Sequence, residues 1–434
     1  MSRASTPAAR LEPAESAEPA ESSELPELAE PAERCPQLLG GYRALARLPH
    51  FWRLSVIAVT SKAAASMSGL SLLLLVSSAS SCGTAGLAVS CSTLGQGLTA
   101  PLRGRLVDRY RVRPVLAGCL TAHLIATLTV LMTARDGSAG SAPLICALAA
   151  AVGATAPPVA VMTRSAWHGV ASGVALDTAM ALDASLMGAA LIVGPVLAGW
   201  LGLSVSPFLP YAVITALTVV SVALVMASAG TLAPPPTGTA AASRARIWSS
   251  SPLRRLLIAD GLFVMAVTAV DVVLPIYARQ AHAVELTGLY LGSLAVGSIV
   301  GSFALGTFTR RLRRERGRVS PVLLLLFAVG CAVLAAAVRL SPTVVLLVCP
   351  VAGLVIGSLF AVLRTTGGDL APAGQVTETM SWLSSLDMAG GAAGAAVFAQ
   401  LAGAWGSREA LMCVPVIILV AAAASWRVQG RKRY

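Results

Sequence analysis

Gly104-Arg105-Leu106-Val107-Asp108-Arg109-Tyr110-Arg111-Val112-Arg113 is a polar break between two apolar runs, 83–102 and 114–133. Each run is close to the ~20 residues that carry a helix across a ~30 Å hydrocarbon core. Four arginines and one aspartate crowd the short connection, as they do where a chain turns at a membrane surface. The same alternation continues outward in both directions. Further apolar runs lie at 54–77, 143–163, 179–200, 209–229, 256–277, 286–308, 320–338, 343–363, 379–402 and 410–426. The pattern predicts an all-α polytopic membrane protein with twelve transmembrane helices.

Composition requires the same class. The 434 residues are 56% hydrophobic and 12% charged, with a mean hydropathy of +0.76. A soluble domain carries about 25% charged residues, so most of this surface must face lipid. The net charge of +12 does not point to nucleic acid, because the basic residues cluster in short breaks with no interleaved aromatic side chains. The eight cysteines show no CxxC and no metal spacing, and they read as small buried hydrophobes. With the N-terminus inside, 27 of the 32 basic residues fall on the cytoplasmic side. That bias predicts a multi-pass protein of the cell (inner) membrane with both termini cytoplasmic.

Segment boundaries follow. Residues 1–50 read as a disordered acidic Pro/Ala/Glu cytoplasmic tail, with a glutamate at every third position from Glu12 to Glu33. A first six-helix bundle is expected over 51–229. A Pro/Ser/Ala/Arg cytoplasmic linker covers 230–252, a second bundle 253–426, and a basic cytoplasmic tail 427–434. The two bundles are related within the sequence itself. Gly95 and Gly104 match Gly297 and Gly306 at an offset of 202, and Gly153 and Arg164 match Gly353 and Arg364 at an offset of 200. A repeat of six helices in the same orientation implies pseudo-symmetric halves about an axis along the membrane normal.

The opening stretch resembles the loop signature of the major facilitator superfamily, G-x-L-a-D-R-x-G-R-R, at Gly104, Leu106, Asp108, Arg109 and Arg113. It departs from the signature at Arg111 and Val112, and in the second half Arg310 stands where the aspartate would be. The resemblance implies that Gly104, Asp108, Arg109 and Arg113 form a latch for one conformer of an alternating-access cycle. Gly194-Pro195-Val196-Leu197-Ala198-Gly199 is similar to the same family's antiporter signature, with Gly194, Pro195 and Gly199 in register. Pro157-Pro158-Val159 with Arg164 and Trp167, Ala181-Leu182-Asp183, and Thr377-Glu378 with Trp382 resemble bacterial, actinobacterial-type drug or metabolite efflux members.

Charged residues inside the spans are candidates for function, since each costs ~2.5–3.5 kcal/mol at a helix centre. Lys62 and Asp271 lie deep in spans one and seven, which in this family line the central cavity, and Asp387 lies in span eleven. Lys62 and Asp271 are expected at different depths, so direct pairing is not expected. Asp183 and Glu378 are read as opening their helices, where the dipole favours an anion. Arg164 and Arg364 are read as ending spans four and ten, where it favours a cation. His123 is read as a hydrogen-bonded structural histidine.

These readings converge on a secondary transporter, not an enzyme. It would export a small, partly apolar organic molecule (drug or metabolite) by proton antiport, through rocker-switch alternating access. Few charges are expected in the cavity. No metal, cofactor or catalytic residue is implied, and no ATP-binding GxxxxGK[ST] occurs. The expected partners are the small-molecule substrate, protons as coupling ion and the lipid bilayer. An uptake symporter on the same fold is the alternative. A membrane-embedded enzyme would need an acid/base or metal cluster that His50, His123, His168 and His282 do not form.

Overall fold

The computed structural model describes residues 40–80, 82–135, 142–232, 247–312 and 316–429. The acidic repeat from Glu12 to Glu33, most of the linker (233–246) and the basic end (430–434) lie outside the described residues.

The described chain is all helical. In order, α1 is Gly40–Ala46, α2 Phe51–Ala79, α3 Cys82–Arg109, α4 Val112–Arg135, α5 Ala142–Thr155, α6 Val159–Val170 and α7 Val174–Ser204. They are followed by α8 Leu209–Leu232, α9 Ser251–Gln280, α10 Thr287–Leu312, α11 Arg316–Ala337, α12 Pro342–Leu370, α13 Val376–Ala404 and α14 Ser407–Gln429. Counting α5 and α6 as one, ten of these are long and apolar enough to cross a membrane. The other two long helices, α3 and α13, run 28 and 29 residues but carry more polar side chains.

Two boundaries need correction. The tail read as reaching residue 50 ends earlier, because Gly40–Ala46 is helical and packed. Leu45 is fully buried beside Phe51, Leu54 and Trp167, and the Tyr42 ring stacks on Phe303 at 4.4 Å. The fourth span is not one helix: it breaks at Ala156–Pro158. Pro158 has no N–H for the Ala154 carbonyl, which takes a hydrogen bond from Thr99 Oγ1 at 3.0 Å. The Ala156 carbonyl is bonded by the Arg103 guanidinium. Arg103 is itself buried inside the bundle.

Packing repeats with the sequence. In the first half α2 packs on α7 and α8, α3 on α5, and α4 on α8. In the second half α9 packs on α13 and α14, α10 on α12, and α11 on α14. The glycines that match across the repeat sit at equivalent crossings. A Cβ on Gly95 would strike the Ala150 carbonyl, and one on Gly153 the Ser92 carbonyl. Their partners Gly297 and Gly353 meet the Pro350 and Leu294 carbonyls in the same way. Only glycine lets these backbones approach so closely. The halves meet along α3 with α13 and along α7 with α10.

Candidate functional site

Two clusters of buried ions occupy the interior. In the first half, Lys62 on α2 is 1% exposed and donates from Nζ to Asp183 Oδ1 at 2.6 Å. Arg164 on α6 donates from Nε to the other oxygen, Oδ2, at 3.0 Å. One carboxylate thus satisfies two cations with both its oxygens, which is what allows Lys62 to remain so deep. This corrects two readings. Asp183 does not open its helix: α7 begins at Val174, so the carboxylate lies well inside it. Nor does Arg164 end a helix, since α6 runs on to Val170.

The second cluster inverts the balance. Arg364 on α12, the repeat partner of Arg164, donates from Nη1 to Asp260 Oδ1 and Oδ2 at 3.2 and 3.0 Å. Its Nη2 donates to Asp387 Oδ2 at 2.5 Å. Six helix residues follow Arg364, so it too is no helix-end cation. Its guanidinium also lies 5.7 Å from the Phe360 ring centroid, within cation–π range. Asp260 is fully buried on α9. It escaped the sequence reading because it lies only four residues inside the apolar run that begins at Leu256; an aspartate between Ala259 and Gly261 in such a run was the available signal. Two atoms here are buried without a hydrogen-bond partner, Asp387 Oδ1 and Arg364 Nε. Six ionisable side chains thus stand in two clusters inside the helical bundle.

Asp271 joins neither cluster. It follows Asp260 by eleven residues on α9, so it sits on nearly the same helix face roughly 16 Å further along. It is partly buried.

The quoted loop stretch lies at one end of the interface between the halves. Asp108 Oδ2 accepts a hydrogen bond from the Glu378 backbone N–H at 2.7 Å, in the first turn of α13, where N–H groups lack helical partners. Arg105 donates from Nη2 to Glu378 Oε1 at 2.8 Å. A Cβ on Gly104 would strike Ser381 Oγ and lie 2.9 Å from the Thr377 carbonyl oxygen. Arg109 is exposed, and Arg113 donates from Nε to the Met226 carbonyl at 3.2 Å within the first half. Further ties between the halves lie nearby: Ser165 to Thr377 at 3.0 Å, Thr178 to the Gly306 carbonyl at 3.3 Å, and Ser185 to Ser302 at 2.7 Å.

The antiporter-like stretch packs α7 onto α2. A Cβ on Gly194 would strike Ser66, and Gly199 lies in ordinary contact with Leu70. Pro195 sits inside the unbroken α7. His123 is bonded through Nδ1 to the Val152 carbonyl at 3.1 Å.

A family model described as Major Facilitator Superfamily matches residues 54–395. No curated protein matches the sequence significantly. Among solved structures, the human organic anion transporter MFSD10 (TETRAN) superposes with a TM-score of 0.68 at 18% identity, over 87% of this chain and 99% of that one. A bacterial homologue of the iron transporter ferroportin, in an outward-facing state with soaked iron, gives 0.67 at 17% identity, over 90% and 97%. The E. coli fucose:proton symporter FucP gives 0.62 at 16% identity, over 89% and 99%.

Proposed function

Because this chain belongs to the Major Facilitator Superfamily, we propose that it is a secondary transporter exporting a small, partly apolar organic molecule by proton antiport. The observation that carries this reading is the pair of buried ion clusters, Lys62–Asp183–Arg164 and Asp260–Arg364–Asp387, one in each half. Ions held inside membrane spans belong to a translocation path more often than to scaffolding. Arg164 supports a polar end to the substrate. Only its Nε is engaged among the described residues, and its side chain is 12% exposed.

Transport would proceed by rocking one half against the other about these clusters. Asp108, Arg105 and Glu378 would hold one end shut while the other is open. With both termini cytoplasmic, that closed end would be the cytoplasmic one. The acidic groups inside the spans would carry the coupling proton, and the Gly194–Gly199 stretch would keep α7 tight on α2 during the motion.

An efflux-deficient bacterial host expressing the chain tests this, with accumulation measured across a panel of fluorescent amphiphiles. Lowered accumulation of at least one compound, lost in Lys62→Ala, is the expected result. Raised accumulation would instead make the chain an uptake symporter.

A further inference from the structure

We propose that Asp260 and Asp387 form a single proton-binding site, a carboxyl–carboxylate pair that shares one proton above the Arg364 guanidinium. The inference deepens the antiport reading, since it names the proton site that such a cycle needs. The pair itself stands on geometry alone.

Three observations define it. First, the two carboxyls take neighbouring nitrogens of one guanidinium, Nη1 for Asp260 and Nη2 for Asp387. Both acids thus sit side by side on one cation. Second, the charges do not balance. Within this cluster one cation faces two acids, while the surplus cation of the other cluster, where Lys62 and Arg164 share Asp183, is held in the other half. Third, Asp387 Oδ1 is buried with no donor in reach. An ionised carboxylate oxygen buried without a hydrogen bond is costly. A proton held between Oδ1 and Asp260 removes both faults at once, supplying the missing donor and cancelling the surplus charge. Two carboxylates sharing a buried site cannot both ionise, and the proton then belongs to the pair.

Among the described residues only Arg364 donates to these two carboxyls. Asp260 faces Arg364 from α12 and Asp387 from α13. Lys62, across the interface on α2, repels Arg364 and is committed elsewhere. The α10 and α14 helices, also packed on α9, have no charged residue along 287–307 or 410–426. Exposure fits a site that loads and unloads. Asp260 and Arg364 are sealed, at 0% and 4% of their side chains, while Asp387 is 25% exposed. Water would deliver the proton as hydronium on the Asp387 side, forming one O–H bond, and would take it back when that bond breaks.

Infrared spectroscopy of the purified full-length chain tests the pair without a substrate, by reading the protonated carboxyl C=O band at pH 7 in H2O and D2O. Asp387→Asn should remove one such band per chain, because it leaves one arginine with one carboxylate and no need of a proton. Asp260→Asn should do the same, whereas Asp387→Glu should keep the band at a shifted frequency. Asp271→Asn should leave it untouched. If burial makes Asp260→Asn misfold, the half-buried Asp387→Asn decides alone. A band that survives Asp387→Asn, or one removed only by Asp271→Asn, overturns the proposal, as does a wild type with no band between pH 5 and 7. The antiport reading fails separately, if a pH gradient across proteoliposomes does not drive exchange while the band behaves as stated.

Discussion

Asp183 carries the structural burden of the first half, since both its oxygens are occupied by buried cations. Asp183→Asn leaves Lys62 and Arg164 facing each other without a counter-ion. Removing one partner of a buried pair costs about 3–5 kcal/mol, so the melting temperature of the detergent-solubilised protein should fall clearly. Adding Lys62→Met to that variant should restore part of the loss, because the stranded charge goes with it. A double-mutant cycle that finds the two changes additive would contradict the contact. These residues were unequally legible in the sequence. Lys62 was conspicuous as the lone lysine of an apolar run. Asp183 was misread because Asp177 and Thr178 interrupt hydropathy and hid the first turns of α7. The pairings themselves were illegible, since they join residues 121 and 104 positions apart. Repeat arithmetic pointed to Arg164 and Arg364, but nothing local revealed that one would meet a single acid and the other two.

Helix ends and breaks hold the elements in place. Asp108 on the first-turn N–H groups of α13 gains a charge–dipole attraction of about 0.3–1 kcal/mol. The Arg105–Glu378 bond adds less, because the arginine side chain is 60% exposed and screened by water. Asp108→Asn should therefore shift the conformer balance only a few-fold without unfolding the chain. Distances between spin labels on the far ends of α3 and α13 would read that shift, and an unchanged distribution would remove Asp108 from the latch. A larger effect is expected from α1. Tyr42 donates its hydroxyl to the Phe303 carbonyl at 3.1 Å and lies against Gly306, so α1 touches α7 and α10 together. Tyr42→Ala should loosen the α7–α10 side, seen as faster hydrogen exchange there and not along α3. Ten of the spans could be read from apolar length, and the more polar α3 and α13 from their place in the alternation of runs and breaks. The break at Pro157–Pro158 was in plain sight, but its consequence, a buried Arg103 bonding a freed carbonyl, needs the third dimension.

At the scale of the molecule, charge bias predicts where each end lies. Reporter fusions after Gly140, Ser206 and Gly406 should report the extracytoplasmic side, and fusions at Arg111, Thr239, Arg314 and the C-terminus the cytoplasm. One reversed result in the second half would overturn the count of twelve spans. The duplication, legible from glycine spacing, also determines which helices meet across the midline. The ties along α3 run from Gly97, whose carbonyl accepts from Ser385, to Asp108. Residues 82–96 therefore extend past the fastened part by roughly 22 Å at 1.5 Å per residue. Such a helix is a lever with its fulcrum near the fastened end. A tilt of about 10° there moves the free tip by about 4 Å, comparable to one turn of helix. Mechanical advantage is thus built into the asymmetry. A single side chain wedged at the fulcrum, as in Gly104→Val against Ser381 and the Thr377 carbonyl, should change the width of the distant mouth far more than it changes the contact itself.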